Sequence, residues 1–140
     1  MHSKEKNNTI FIRLFPDEDL YSKLREVSKI HKIKNAVVIS GIGQLKKFKL
    51  GFFKEKGNYN IEKFDNPHEL LSLTGNICKQ NGDYELHLHA VLGNGKKNAI
   101  GGHLMEGKVE VTNEIILLKT YFDISRKLEE KTGLKGLFLE

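Results

Sequence analysis

The sequence predicts an α+β fold: a mainly antiparallel β-sheet with one main amphipathic helix and short flanking helices. Three observations lead there. Segments rich in β-branched and aromatic residues recur along the chain, turns bearing glycine and asparagine separate them, and one stretch alone carries a clear helical period. Strands and helices do not alternate, so a parallel sheet is not expected.

Residues 1–8 are polar and read as a flexible N-terminal tail, leaving 9–140 as a single domain, a size well within the usual range of about 100 to 150 residues. Thr9 to Phe15, ending at Pro16, reads as the first strand. A helix follows over Leu20 to His31, where Leu20, Leu24, Val27 and Ile30 share one face; Asp17 is the expected cap, and Glu18 and Asp19 suit the positive amino end. Ala36 to Ser40 reads as a buried strand, broken at Ser40-Gly41-Ile42-Gly43 by a bend or bulge where backbones approach closely. Leu45 to Phe53 and Asn58 to Phe64 form a hairpin around Glu55-Lys56-Gly57. Leu70 to Lys79 and Tyr84 to Leu92 are joined by Asn81-Gly82-Asp83, and Asn94-Gly95 leads into Ile100 to Thr112. Glu114 to Phe122 continues with the buried run Ile115 to Leu118, and Ser125 to Lys131 reads as a short helix closed by Gly133.

Composition narrows the function classes. With 39% apolar and 29% charged residues the chain is no disordered polymer. No apolar run approaches the ~18 residues of a membrane-spanning helix, and the amino end lacks the apolar stretch of a signal peptide. A cytoplasmic location with no membrane partner is therefore expected. The lone Cys78 has no cysteine to pair with and reads as a structural thiol. A formal charge of +5 invites polyanion binding, yet 20 of the 23 basic residues are lysine, which favours non-specific phosphate contacts over base readout. Only Lys46-Lys47-Phe48-Lys49 and Lys96-Lys97 form patches, and both read as solubilising surface.

The histidines carry the sharpest chemical signal. Strand parity from Tyr84 to Leu92 puts Glu85, His87, His89 and Val91 on one face. A loop of Asn94 to Lys96 sets His103 opposite His87, whereas a loop of Asn94 to Asn98 sets it opposite His89. Either register brings all three imidazoles together. Three nitrogen donors with a fourth position open form the ligand set of a catalytic zinc site rather than a structural one. The cofactor expected is a divalent metal, zinc first. Such an ion lowers the pKa of water to about 7 and supports hydrolytic or lyase chemistry. Gly101 and Gly102 leave room beside the site for a ligand or another chain. Glu85 and Glu106 are the candidate proton acceptors; Glu85 shares the histidine face, whereas Glu106 needs a bulge or a neighbouring subunit. The same histidines also fit a solvated sheet face or a subunit contact. His2, His31 and His68 are assigned no role, and neither a nucleophile elbow nor a dinucleotide glycine pattern occurs.

The run Leu70 to Ile77, the Leu86-His87-Leu88-His89 strand and Gly101-Gly102-His103-Leu104-Met105-Glu106-Gly107 together resemble the PPC domain, the plants and prokaryotes conserved domain. Arg13, Gly41-Ile42-Gly43, Leu50-Gly51-Phe52-Phe53, and Glu130 with Thr132-Gly133-Leu134 extend the similarity over nearly the whole chain. The resemblance, to the prokaryotic single-domain type, implies a compact α+β domain, a homotrimer, and a DNA-binding, regulatory or assembly role. It also implies that the histidine strand pair is a family feature. The plant members' AT-hook, Arg-Gly-Arg-Pro, is absent from these 140 residues, so minor-groove readout does not carry over. In plant members the domain itself serves assembly and partner contact, and the family's Phe/His-Glu-Ile/Leu-Leu segment falls at His68-Glu69-Leu70-Leu71. The resemblance thus implies protein partners more readily than DNA, which would be held through non-specific lysine contacts. The alternative is a metal-dependent enzyme or small-molecule-binding protein that uses the three histidines.

Overall fold

Period-two patterning governs this chain more completely than the sequence reading allowed. The computed structural model describes residues 1–140 and contains nine strands and one helix: β1 His2–Lys6, β2 Thr9–Leu14, α1 Leu20–Ile30, β3 Asn35–Glu55, β4 Asn58–Phe64, β5 His68–Gln80, β6 Asp83–Gly93, β7 Ala99–Thr120, β8 Ile124–Leu128 and β9 Lys135–Leu139. Strands hold 69% of the residues and the helix 8%, so the fold is nearly all-β and the α+β expectation is corrected.

The flanking helix is the clearest source of the difference. Ser125 to Lys131 is too short to hold a helix on its own. Instead β8 pairs with β9 from Ile124 opposite Leu139 to Leu128 opposite Lys135, as a hairpin beyond the main sheet. At the other end, residues 2–6, read from sequence as part of a polar tail, pair along β2 from His2 opposite Arg13 to Lys6 opposite Thr9.

The main sheet is antiparallel in the order β1-β2-β7-β6-β5-β3-β4, and an added β3–β7 pairing closes a ring through β5 and β6. Two long bent strands make this closure. The carboxyl half of β7 lies between β2 and the start of β3, while its amino half lies between β6 and the end of β3. Bulges bend β3 within Val38–Ser40, Gly43–Leu45 and Lys46–Leu50, so the two strands expected on either side of Ser40-Gly41-Ile42-Gly43 are one. Gly43, at φ +143°, permits the bend: a Cβ there would lie 2.0 Å from the Thr112 carbonyl oxygen.

The helix buries Leu20, Leu24, Val27 and Ser28. Its cap is Asp19 rather than the expected Asp17, with the carboxylate accepting the Ser22 N–H at 2.8 Å. Asp17 instead adopts a positive φ and pairs with Lys46. The core joins the helix to inward residues of every large strand, among them Ile10, Phe48, Leu73, Leu88, Leu104 and Leu117. Cys78 is buried within the fold and unpaired. No helix is long and apolar enough to cross a membrane.

Candidate metal centre

Alternation along β6 turns Leu86, Leu88 and Ala90 away from the histidine face, with Leu88 and Ala90 in the core, and leaves His87 and His89 on the outer face. The β6–β7 connection settles which register holds. Gly93 pairs with Ala99, and the Asn94 N–H donates to the Asn98 carbonyl at 3.0 Å, which is the longer of the two loops considered. His103 therefore stands directly opposite His89.

The three rings form a near-equilateral triangle. Their centroids lie 5.1 Å apart for His87–His89, 5.2 Å for His87–His103 and 5.3 Å for His89–His103. One ligand nitrogen from each falls within 4.8 Å of the others, and His87 Nε2 and His89 Nε2 are 3.2 Å apart.

Gly75 of β5 holds the adjacent strand close. At φ +147° it lies opposite Leu88, and a Cβ there would meet the His87 carbonyl oxygen at 2.0 Å. The expected room at Gly101 and Gly102 is divided. Both glycines line a cavity of about 200 Å³ with Ser72, Thr74 and His89, but a Cβ on Gly102 would also meet the Gly51 carbonyl oxygen at 3.0 Å.

On the other side of the cluster, Tyr59, Glu85, His87, His103, Arg126 and Lys135 line a second cavity of about 200 Å³. Burial holds the His87 pKa below its ordinary value, aided by the Arg126 guanidinium and then by His89. Burial likewise lowers that of His103, aided by His87 and His89. Both rings are thus kept neutral, with lone pairs available, at neutral pH.

The two carboxylate candidates separate. Glu85 lines the cavity, but its carboxylate is engaged by the Lys135 ammonium. Glu106 points elsewhere and pairs with Lys49 at 2.9 Å. The remaining histidines occupy structural places: His2 edge-on to Phe15, His31 between Ser3 and Glu5, and His68 against Phe48 and Phe64.

Sequence reasoning missed Arg126, Asn76 and Tyr59. Arg126 comes from β8 and is 9% exposed, its backbone N–H and carbonyl both bonded to the Gln80 side-chain amide at 3.1 Å. The signal for it was the alternation Ile124, Arg126, Leu128, followed beyond Gly133 by the apolar run Leu137 to Leu139.

A ring of antiparallel strands carrying three convergent imidazoles on its outer face defines a small β-domain with a histidine centre. Residues 1–120 match the family model of the Plants and Prokaryotes Conserved (PCC) domain, and the chain belongs to that family. Among solved structures, a "putative dna binding protein" from Bacteroides thetaiotaomicron superposes with a TM-score of 0.91 at 26% identity, covering 99% of this chain and 96% of that one. A plant- and prokaryote-conserved protein of Pyrococcus horikoshii gives 0.81 at 30% identity, again over 99% and 96%. A metal-containing protein of Archaeoglobus fulgidus gives 0.84 at 26% identity over 96% and 95%. The chain is also 27% identical over 131 residues, 92% of its length, to the bifunctional protein GlmU of a Synechococcus species, and spans 20% of that curated relative.

Proposed function

We propose that this chain is a metal-holding member of its family, with His87, His89 and His103 taking one divalent ion and leaving a coordination position open to a small molecule. The observation that carries the reading is the convergence of three imidazole nitrogens on one face. Tetrahedral zinc, with bonds of about 2.0–2.1 Å, sets neighbouring nitrogens about 3.3–3.4 Å apart; His87 Nε2 and His89 Nε2 lie 3.2 Å apart. An all-imidazole donor set also suits nickel, copper and iron, with zinc the first expectation. The likeness to the metal-containing archaeal protein supports the same reading.

When bound, such an ion supplies Lewis acidity at its open position. The chain's own residues do the rest. β6 and β7 fix the rings, burial and Arg126 keep His87 unprotonated, and Tyr59 stands edge-on to His103 at 6.1 Å between centroids. The test is metal analysis of purified protein beside His87→Ala/His89→Ala. Loss of stoichiometric metal with the fold retained supports the site, and retention of metal by the double variant removes it.

The module acts as a homotrimer in this reading. Phe11, Ile42 and Val37, at 61%, 50% and 43% exposure, lie with Leu118 on the face turned away from the core. An apolar sheet face of this kind calls for a neighbouring copy. Light scattering that gives a stable monomer at micromolar concentration refutes the trimer.

A second reading, a DNA-associated regulatory or assembly role, has its support in the description of the Bacteroides neighbour and in the formal charge of +5. The lysine run does not act as a free patch, because Lys46 pairs with Asp17 and Glu110 and Lys49 pairs with Glu106. Any contact is therefore non-specific and steeply salt-dependent. Titration onto A·T-rich and G·C-rich duplexes at low and physiological salt tests it: absence of binding at low salt rejects the role, and a strong preference for one duplex rejects its non-specific form.

A further inference from the structure

Arg126 is a buried cation without a counter-ion. It is nine-tenths buried, and it takes part in none of the ion pairs of the fold. Two of its five N–H donors have acceptors, and both acceptors are neutral: Nη1 donates to the Lys135 carbonyl at 3.1 Å, and Nη2 donates to Asn76 Oδ1. Removing a charge from water without a partner is costly, and folds rarely tolerate it unless something supplies the missing charge. The carboxylate that lines the same cavity cannot do so, because Lys135 engages Glu85.

The cavity places this guanidinium beside His87 and His103. A ligand in this cavity therefore meets the imidazoles of His87 and His103 on one wall and a fixed fork of N–H donors on another. That fork matches the paired oxygens of a carboxylate or phosphate. At about 200 Å³ the cavity falls below the ~300–1,000 Å³ of drug-sized ligand sites, which suits a small metabolite.

We infer that Arg126 is the anion-binding half of a ligand site whose other half is the three-histidine centre, so that the ligand is a small molecule bearing a carboxylate or a phosphate. The inference rests on the metal reading above. Asn76 and the Lys135 carbonyl hold the guanidinium in place for this contact, and the Gln80 amide ties down the Arg126 backbone.

The full chain loaded with cobalt(II) tests it, because the visible spectrum of the ion reports its coordination independently of any activity. Succinate and inorganic phosphate are titrated separately onto wild type, Arg126→Gln and Arg126→Lys, with imidazole as a neutral ligand. The expected result is a saturable spectral change with at least one of the two anions, and the better one identifies the class. That affinity falls roughly 10- to 100-fold in Arg126→Gln, the scale of a lost charge-assisted contact. Arg126→Lys, which keeps the charge and loses the fork, falls between, and imidazole acts equally on all three. If Arg126→Gln does not fold, Arg126→Lys carries the comparison. Equal anion affinity in wild type and variants, or no response of cobalt-loaded wild type to either anion, overturns the inference and leaves the metal centre standing. Failure of wild type to take up cobalt overturns the metal reading itself.

Discussion

Replacing Gly75 by alanine strikes the strand contact on which the histidine geometry depends. The residue holds φ at +147° opposite Leu88, between the positions that pair with His87 and His89. A left-handed φ costs a non-glycine residue about 1–3 kcal/mol. The new Cβ would also stand 2.0 Å from the His87 carbonyl oxygen, a backbone atom that cannot rotate aside. Relieving that contact moves β5 away from β6, and overpacking of this kind adds about 1–3 kcal/mol. The two effects together reach about 2–6 kcal/mol, against a total stability of about 5–15 kcal/mol for an ordinary domain. Gly82→Ala is the control: φ is +82°, but nothing lies within 4 Å of its Cβ, so it carries the conformational cost alone. Urea unfolding should show Gly75→Ala well below Gly82→Ala in stability, with metal uptake weakened only in Gly75→Ala. Equal losses in the two variants, with metal uptake unchanged in both, would refute the reasoning.

Three further outcomes follow. Because burial holds His87 and His103 below their ordinary pKa of 6.5, metal-free protein has its full stability above pH 6.5. It loses stability as acid protonates the unfolded chain first, so melting temperature should decline as the pH falls below 6.5, less so in His87→Gln/His103→Gln; a flat profile contradicts this. Asp19→Ala removes the acceptor of the Ser22 N–H and should cost about 1 kcal/mol in chemical denaturation, whereas Asp17→Ala should leave the helix cap intact. Glu106→Gln loses only an exposed pair with Lys49, so stability should change by less than about 1 kcal/mol and metal content not at all; a fall in bound metal would bring Glu106 back to the site.

What could be read from sequence divides along physical lines. The shared face of His87 and His89 follows from strand parity, which a single strand fixes by itself. The place of His103 depends on a loop length, and the sequence left two loops open until the Asn94–Asn98 hydrogen bond decided between them. Helix α1 was legible because four apolar residues repeat at its period, but its cap shifted from Asp17 to Asp19 because Lys46 draws Asp17 away. The continuity of β3 and β7 was not legible, since glycine and asparagine mark a bulge and a turn with the same residues. Arg126 was hidden for a related reason: a short segment carrying Ile124, Arg126 and Leu128 supports a helix or a strand until its partner β9 is known.

The central claim is that three imidazoles from β6 and β7 hold one metal ion with a position left open. X-ray absorption at the zinc edge of stoichiometrically loaded protein tests it most directly. The account predicts three imidazole nitrogens at about 2.0–2.1 Å together with one further light-atom ligand. A sulfur at about 2.3 Å, or a shell without imidazole scattering, would contradict it.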